Sequence, residues 1–242
     1  MNRQFFKDNA PLLCGMAVTA LGITAAGFLF HQSFFRILPL YVSLVIALLQ
    51  SRMIRYASLM GGINSILYAL VYAHYHLYAS AAYALLVSCP VQIVTFIRWS
   101  QKPWGQSTIF RKLTAKQRIV TAVAFAGLLA GLGLLLPLLG GEHSFLDSTV
   151  TLLGILTSIL TMLAFMEYAS LMLVGGLVSA TLYISMLGEH PEQATYLIFT
   201  LYSLTCCVIA FFRIRKLYAE QQKAGGNNTG FSPSIQDLNN QT

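Results

Sequence analysis

Long apolar segments alternate with short polar segments along most of the chain. Eight apolar segments can be outlined, each close to the roughly 20 residues that an α-helix needs to cross about 30 Å of hydrocarbon. Their bounds are 11–30, 34–50, 56–74, 77–97, 119–139, 146–166, 168–187 and 192–212. The pattern therefore predicts an all-α integral membrane protein with eight transmembrane helices.

The composition agrees with this prediction. Hydrophobic residues make up 56% of the 242 residues and charged residues only 10%, against about 25% charged residues in an average soluble domain. A net charge of +7 would also fit a protein that binds nucleic acid. Here the positive residues cluster between apolar segments, where they determine topology, so a lipid bilayer is the expected partner and nucleic acid is not.

The basic stretch Arg98–Arg118 fixes the predicted orientation. It contains six Lys and Arg residues and no acid, between two apolar segments, and such loops stay in the cytoplasm. With the N-terminus inside, 14 of the 15 Lys and Arg residues fall on the inner side, and only Arg36 falls outside. We therefore expect a multi-pass protein of the plasma (inner) membrane with both termini cytoplasmic.

A short internal repeat indicates two related halves. Tyr-Ala-Ser-Leu-Met occurs at 56–60 and again at 168–172, each time at the start of a span and directly after a charged residue, Arg55 or Glu167. Four predicted spans separate the copies, so the two halves have the same orientation. This predicts two parallel three-helix repeats, an arrangement that includes the SWEET sugar carriers.

The repeat and the charges together divide the chain into six regions. A linker helix joins the repeats, an extra helix precedes them, and the polar C-terminal region is expected to be disordered. The regions are the N-terminal region with its extra helix (1–33), the first repeat (34–97), the basic cytoplasmic loop (98–118), the linker helix (119–145), the second repeat (146–216) and the tail (217–242).

Polar residues within the spans are the candidates for a binding site, because polar side chains in hydrocarbon usually face the bundle interior or a cavity. They recur at helical spacing in the third, fourth, seventh and eighth spans. The candidate substrate-binding residues are Asn64, Tyr68, Gln92, Tyr168, Ser179 and Tyr183. The alternatives are helix packing for the hydroxyl residues and an interfacial belt for the tyrosines.

Three further residues are candidates for a gate. Trp99 and Glu167 lie at the inner ends of their spans, where Trp99 could instead belong to an interfacial belt and Glu167 could cap the seventh span. Pro90 is expected to kink the fourth span and to free backbone carbonyls.

The chemistry of these candidates suits a particular kind of ligand. They offer aromatic faces, amides and hydroxyls, without a charge inside a span. A flat heteroaromatic ring with a hydroxyl-bearing arm fits this set, and a cationic ring would gain cation–π attraction.

Missing motifs narrow the function further. The sequence has no phosphate-binding Gly-rich loop with its Lys, no acid or His in the middle of a span, no nucleophile elbow and no Cys-x-x-Cys pair. ATP-driven transport, a proton relay, an enzyme, a bound metal and a cofactor are therefore not predicted.

The chain also resembles a known family, the PnuC vitamin transporters, over residues 34–216. The similar features are Arg55-Tyr56 with Gly61, Asn64 and Tyr68, the stretch from Gln92 to Trp99, Asp147, and Glu167-Tyr168. The resemblance implies facilitated uptake of nicotinamide riboside, a precursor of NAD, with intracellular phosphorylation trapping the substrate. It also implies a homotrimer, and we expect transport by alternating access.

One departure from the family pattern leaves the substrate open. Nicotinamide riboside carriers of this family carry Trp-x-x-Trp at the start of the seventh span, where this chain has Tyr168 and Leu171, and a downstream Asn is replaced near Gly175-Gly176. Other branches take thiamine, riboflavin or deoxynucleosides, and thiamine is the alternative substrate. An alternative from a different class is a non-transporting membrane scaffold or sensor that presents the basic loop to a partner.

Overall fold

A computed structural model describes residues 3–76, 78–138 and 144–227 of the chain. This part is helical apart from one short two-stranded ribbon. The elements are α1 (Arg3–Leu29), α2 (Phe34–Ser51), α3 (Tyr56–His74), α4 (Tyr78–Tyr83), a π-helical turn (Ala84–Ser88), α5 (Cys89–Gln101), β1 (Pro103–Trp104), β2 (Ser107–Thr108), α6 (Ala115–Leu138), α7 (Ser144–Met162), α8 (Tyr168–Met186), a 3-10 turn (Pro191–Gln193) and α9 (Ala194–Asn227).

Each of the eight predicted spans overlaps a helix. Within the described residues, six helical stretches are long and apolar enough to cross a membrane, and α7 contributes a shorter apolar helix, Ser148–Met162. The six are Asn9–Leu29, Phe34–Ser51, Tyr56–His74, Ala81–Gln101, Tyr168–Met186 and Pro191–Ala224. The fold is thus that of a multi-pass helical membrane protein.

Six of the helices form a closed ring. Helices α2, α3, α5, α7, α8 and α9 each pack against the next, and α9 returns to α2. Helix α1 packs outside the ring on α2 and α9, and α6 packs outside it on α7. Large apolar side chains such as Phe28, Leu86, Val123 and Phe212 are exposed on the outer surface, as expected where lipid tails surround a protein.

The two copies of the repeated pentapeptide begin after turns of similar shape. In the first turn Met53 has a φ of 56°, and in the second Ala164 has a φ of 57°. Positive φ is uncommon for residues other than glycine. The second turn is one residue longer, since the positive φ lies three residues before Tyr56 and four residues before Tyr168.

The helix that contains Pro90 is interrupted next to that residue. The π-helical turn Ala84–Ser88 lies between α4 and α5, and Pro90 is the second residue of α5. Proline has no N–H to donate to the carbonyl four residues earlier, and its ring crowds that carbonyl. A wider π turn accommodates both effects, which explains why the helix is interrupted where a kink was expected.

The prediction of disorder from residue 217 onward is wrong for its first part. Helix α9 continues to Asn227, because its polar C-terminal turns pack against the basic loop and Gln221 is buried there. Residues 228–242 lie outside the described part of the chain. The basic loop is also shorter than predicted, since α5 continues to Gln101 and α6 begins at Ala115.

Candidate functional site

A central cavity of about 500 Å³ lies inside the ring, and all six ring helices contribute to its wall. Five of the six predicted substrate-binding residues line it, as does the predicted gate residue Trp99. The five are Tyr68, Gln92, Tyr168, Ser179 and Tyr183. The volume lies within the range of about 300–1,000 Å³ that is typical of small-molecule sites.

Two stacked tyrosine pairs form part of the cavity wall. The rings of Tyr68 and Tyr72 on α3 lie 5.8 Å apart with an interplanar angle of 23°. Tyr183 on α8 and Tyr196 on α9 also lie 5.8 Å apart, at 25°. One pair comes from each half of the chain, and together they offer aromatic faces to a flat ligand.

Trp99 and Tyr168 line the cavity at its basic end, which we define as the end that carries the loop Lys102–Thr114. Their ring centroids are 6.2 Å apart, and both residues are buried. The indole N–H of Trp99 donates to the Thr161 carbonyl at 2.9 Å, and the Tyr168 hydroxyl donates to the Met53 sulfur at 2.8 Å. Because these polar atoms bond within the protein, the two side chains offer mainly ring surface to the cavity.

Asn64 lies in a smaller cavity of about 240 Å³ beside the central one. Both cavities have Gln92 and Tyr68 in their walls, so they adjoin. The Asn64 Nδ2 donates to Ser43 Oγ at 2.8 Å. Its buried Oδ1 has no hydrogen-bond partner among the described residues, and a buried acceptor in that state is available to a donor on a ligand.

Glu167 lies outside the central cavity. It occupies the N-cap position of α8, but its side chain makes no capping hydrogen bond there. Its Oε1 accepts instead from the Leu113 N–H at 3.1 Å and from Arg118 at 2.7 Å. Glu167 thereby ties the basic loop to the start of the second copy of the repeated pentapeptide.

The described lining of the central cavity contains no Asp, Glu, His, Lys or Arg. Across the described residues, no group of three or more His, Cys, Asp or Glu side chains could hold a metal ion. The cavity therefore offers aromatic, amide and hydroxyl groups, a set that suits a neutral ligand or a soft delocalised cation.

One wall of the cavity was not predicted from the sequence. Helix α7 contributes Gly154, Thr157, Ser158 and Thr161. Their helical spacing of three and four residues was the available signal. Small hydroxyl residues with this spacing also pack helices together, so the sequence pattern alone does not separate the two roles.

A ring of membrane helices around one uncharged, aromatic cavity defines the class as a multi-pass membrane transport protein. The family described as nicotinamide mononucleotide transporter matches residues 33–216, which is most of the chain. The chain therefore belongs to this family, the PnuC transporters.

A solved structure has a similar fold. It is entitled "Crystal structure of the Vitamin B3 transporter PnuC" and matches with a TM-score of 0.69 at 20% sequence identity, covering 86% of this chain and 90% of that one. No curated protein sequence matches this chain.

Proposed function

We propose that this chain facilitates the uptake of nicotinamide riboside across a plasma (inner) membrane. In this proposal eight spans form two parallel three-helix repeats with the SWEET-like arrangement, and both termini are cytoplasmic. The observation that carries the proposal is the uncharged cavity, which combines a tyrosine pair from each half with the amide of Gln92. Membership of the PnuC family supports it.

The chemistry of nicotinamide riboside matches this cavity. Its pyridinium ring is flat and cationic, so the tyrosine faces attract it without a buried carboxylate. Its carboxamide and ribose hydroxyls need partners that can donate and accept, as the Gln92 amide does. In the adjoining cavity, Asn64 Oδ1 offers one more acceptor.

The proposed mechanism is alternating access. The first repeat (α2, α3 and α4–α5) and the second (α7, α8 and α9) meet where α2 packs on α9 and where α5 packs on α7. Movement at these two contacts would open the cavity to one side at a time. Trp99 and Tyr168 serve as the gate at the basic end, Glu167 holds the loop beside it, and Pro90 with its π turn provides flexibility.

No coupling ion or ATP is required in this account. The described cavity lining contains no titratable acid or histidine that could carry a proton. Phosphorylation of nicotinamide riboside inside the cell would trap the substrate and keep its concentration gradient directed inward.

Thiamine is the second candidate substrate, because the residues at the start of α8 depart from the pattern of nicotinamide riboside carriers. Tyr168 and Leu171 occupy the positions of the expected Trp-x-x-Trp, and both line the cavity. Tyr and Leu present less aromatic surface at this end than two Trp side chains would, so the cavity has a different shape there. Thiamine also carries a cationic ring, so the tyrosine pairs would serve either substrate.

We also propose a homotrimer. Helix α6 packs mainly on α7 among the described elements, and it exposes Val120, Val123 and Leu134. This surface is available to a second copy of the chain or to lipid. The molar mass of the protein within the detergent micelle, measured by light scattering, tests the proposal: three chains support it, and one chain contradicts it.

Calorimetry on the purified, detergent-solubilised protein tests the substrate. Nicotinamide riboside, thiamine and riboflavin are offered separately. Saturable binding of nicotinamide riboside supports the proposal, and binding of thiamine alone transfers the chain to another branch. If folded protein binds none of the three, the proposal fails and the scaffold or sensor alternative gains support.

A further inference from the structure

We propose that the segment Thr108–Leu113, here named the plug, closes the cavity at its basic end, and that Gln221 is the latch that holds the plug in place. The inference deepens the proposed carrier function and rests on it. Gln221 acts here as a positioning residue, since it contacts the plug and not the cavity.

Phe110 is the part of the plug that seals the cavity. Its side chain is only 4% exposed. Its ring meets Trp99 edge-on, with centroids 5.6 Å apart, and lies 6.4 Å from the ring of Tyr168. Trp99 and Tyr168 line the cavity and Phe110 does not, so Phe110 forms a second layer behind them. In this position, movement of the ring would open a path from the cavity to the basic end.

Gln221 holds the backbone on both sides of Ile109, directly before that ring. The Phe110 N–H donates to Gln221 Oε1 at 2.9 Å, and Gln221 Nε2 donates to the Thr108 carbonyl at 2.9 Å. Gln221 is 9% exposed. One amide therefore satisfies a buried donor and a buried acceptor of the plug, and losing it would leave both without a partner.

The latch and the cavity wall belong to the same helix. Helix α9 contributes Thr200, Ser203 and Cys207 to the cavity and continues to Gln221. At 1.5 Å per residue, Gln221 lies about 21 Å beyond Cys207 along the axis. Movement of α9 in the cavity wall is thereby transmitted to the plug.

The basic loop is also fastened to the turns that precede α3 and α8. Arg111 donates its N–H to the Ala164 carbonyl and accepts from the Met166 N–H, each at 2.8 Å. At the turn before α3, the Arg55 N–H donates to the Gln106 carbonyl at 3.0 Å. The loop therefore bridges the two halves, and rocking of one half against the other must strain or release these contacts.

The latch is the contact best suited to release. Arg111 is held by two backbone bonds to the turn before α8. The plug packs in the same apolar cluster as Ala210 and Ile214 of α9, but its two hydrogen bonds to Gln221 come from one neutral side chain. Rotation of that side chain would release the Thr108–Phe110 part of the plug from α9 without unfolding a helix, while the backbone bonds of Arg111 stay in place. The alternative is that Gln221 only stabilises the fold, and the experiment must separate these roles.

Cys207 provides a native reporter of access, because its side chain lines the cavity. In a background with Cys14, Cys89 and Cys206 replaced by Ala, a small membrane-impermeant thiol reagent is applied to vesicles from the basic end or from the opposite end. The labelling rate of Cys207 measures access without any vitamin. The test therefore stands even if the proposed substrate is wrong.

The variants compared are Gln221→Leu and Gln222→Leu. Gln222 is the exposed neighbour on the same helix and makes the matched control. We expect Gln221→Leu to raise the labelling rate from the basic end by about fivefold or more, because both plug contacts are lost. The rate from the opposite end and the rates of Gln222→Leu should equal those of the unsubstituted background.

Two results would overturn the proposal. An unchanged rate for Gln221→Leu means that the plug stays closed without the latch. An equal rise in the labelling rate from both ends means that the whole protein has loosened, so that Gln221 only stabilises the fold. If Gln221→Leu does not insert, Gln221→Glu decides by the same comparison, since it keeps the acceptor for Phe110 and loses the donor to Thr108.

Discussion

The side-chain amide of Gln92 lies directly over Gly61. A Cβ on residue 61 would be 3.0 Å from the Gln92 amide carbon and 3.1 Å from its Oε1. Glycine at this position therefore allows α3 and the amide of α5 to approach closely, which sets where the amide meets the cavity.

Gly61→Ala should consequently weaken ligand binding while the fold survives. The Gln92 amide must shift by a few tenths of an ångström, and we expect the Kd for the bound vitamin to rise about fivefold, or ~1 kcal/mol. Calorimetry measures this. Gly127→Ala is the matched control, because α6 lies outside the ring and a Cβ there meets nothing within 4 Å. Equal Kd values for the two variants would contradict the role given to Gln92.

Substitutions of Tyr68 separate the contribution of its ring to ligand binding from that of its hydroxyl. Tyr68→Phe should leave the Kd for a cationic ring within about twofold, while Tyr68→Ala should raise it about tenfold, since cation–π attraction comes from the ring face. Tyr83→Ala, which removes an exposed tyrosine of α4, serves as control. If Tyr68→Phe weakens binding as much as Tyr68→Ala does, the ligand contacts the Tyr68 hydroxyl and does not stack on its ring.

Helical periodicity alone was sufficient to place five of the six candidate binding residues on the cavity wall. Tyr68, Gln92, Tyr168, Ser179 and Tyr183 are polar or aromatic within apolar spans, and they line the central cavity. Side chains of this kind avoid hydrocarbon and turn inward, which is why they lie on the cavity wall. Asn64 follows the same rule but lies in the adjoining cavity, since periodicity gives the face of a helix and not the depth along the bundle.

The contacts of the basic loop were not predictable in this way. Phe110 lies in a polar, basic segment, and Gln221 lies in a region whose composition indicates disorder. More than 100 residues separate them along the chain. The composition of a segment indicates its average tendency to be ordered or disordered. The burial of Gln221 depends instead on one long-range amide contact. Only the folded arrangement reveals that pairing.

Glu167 should contribute to stability mainly as a hydrogen-bond acceptor. Its ion pair with Arg118 is solvated, with 48% of the Arg118 side chain and 21% of the Glu167 side chain exposed, so removing the charge should cost less than about 1 kcal/mol. Glu167→Gln keeps an acceptor for the Leu113 N–H, whereas Glu167→Ala removes it and should cost about 1 kcal/mol more. Thermal unfolding in detergent ranks the variants, and equal losses would mean that the charge dominates.

Pro90→Ala should affect transport more than binding. The substitution restores an N–H and favours a regular helix in place of the π turn. If this turn provides flexibility for alternating access, the uptake rate should fall about fivefold or more while the Kd changes less than about twofold. Pro11→Ala, within a helix outside the ring, is the control. A rate unaffected by Pro90→Ala would exclude the turn from the mechanism.

Uptake by proteoliposomes tests the central claim most directly. Radiolabelled nicotinamide riboside is offered to vesicles containing the unsubstituted protein, Gln92→Met or the control Gln101→Met, without ATP or an ion gradient. We expect saturable equilibration, with the initial rate below saturation reduced about tenfold by Gln92→Met because the amide partners of the ligand are lost. Gln101→Met, at the exposed end of the same helix, should leave the rate unchanged. Flux equal to that of empty vesicles, from protein shown to be folded and inserted, would contradict the account.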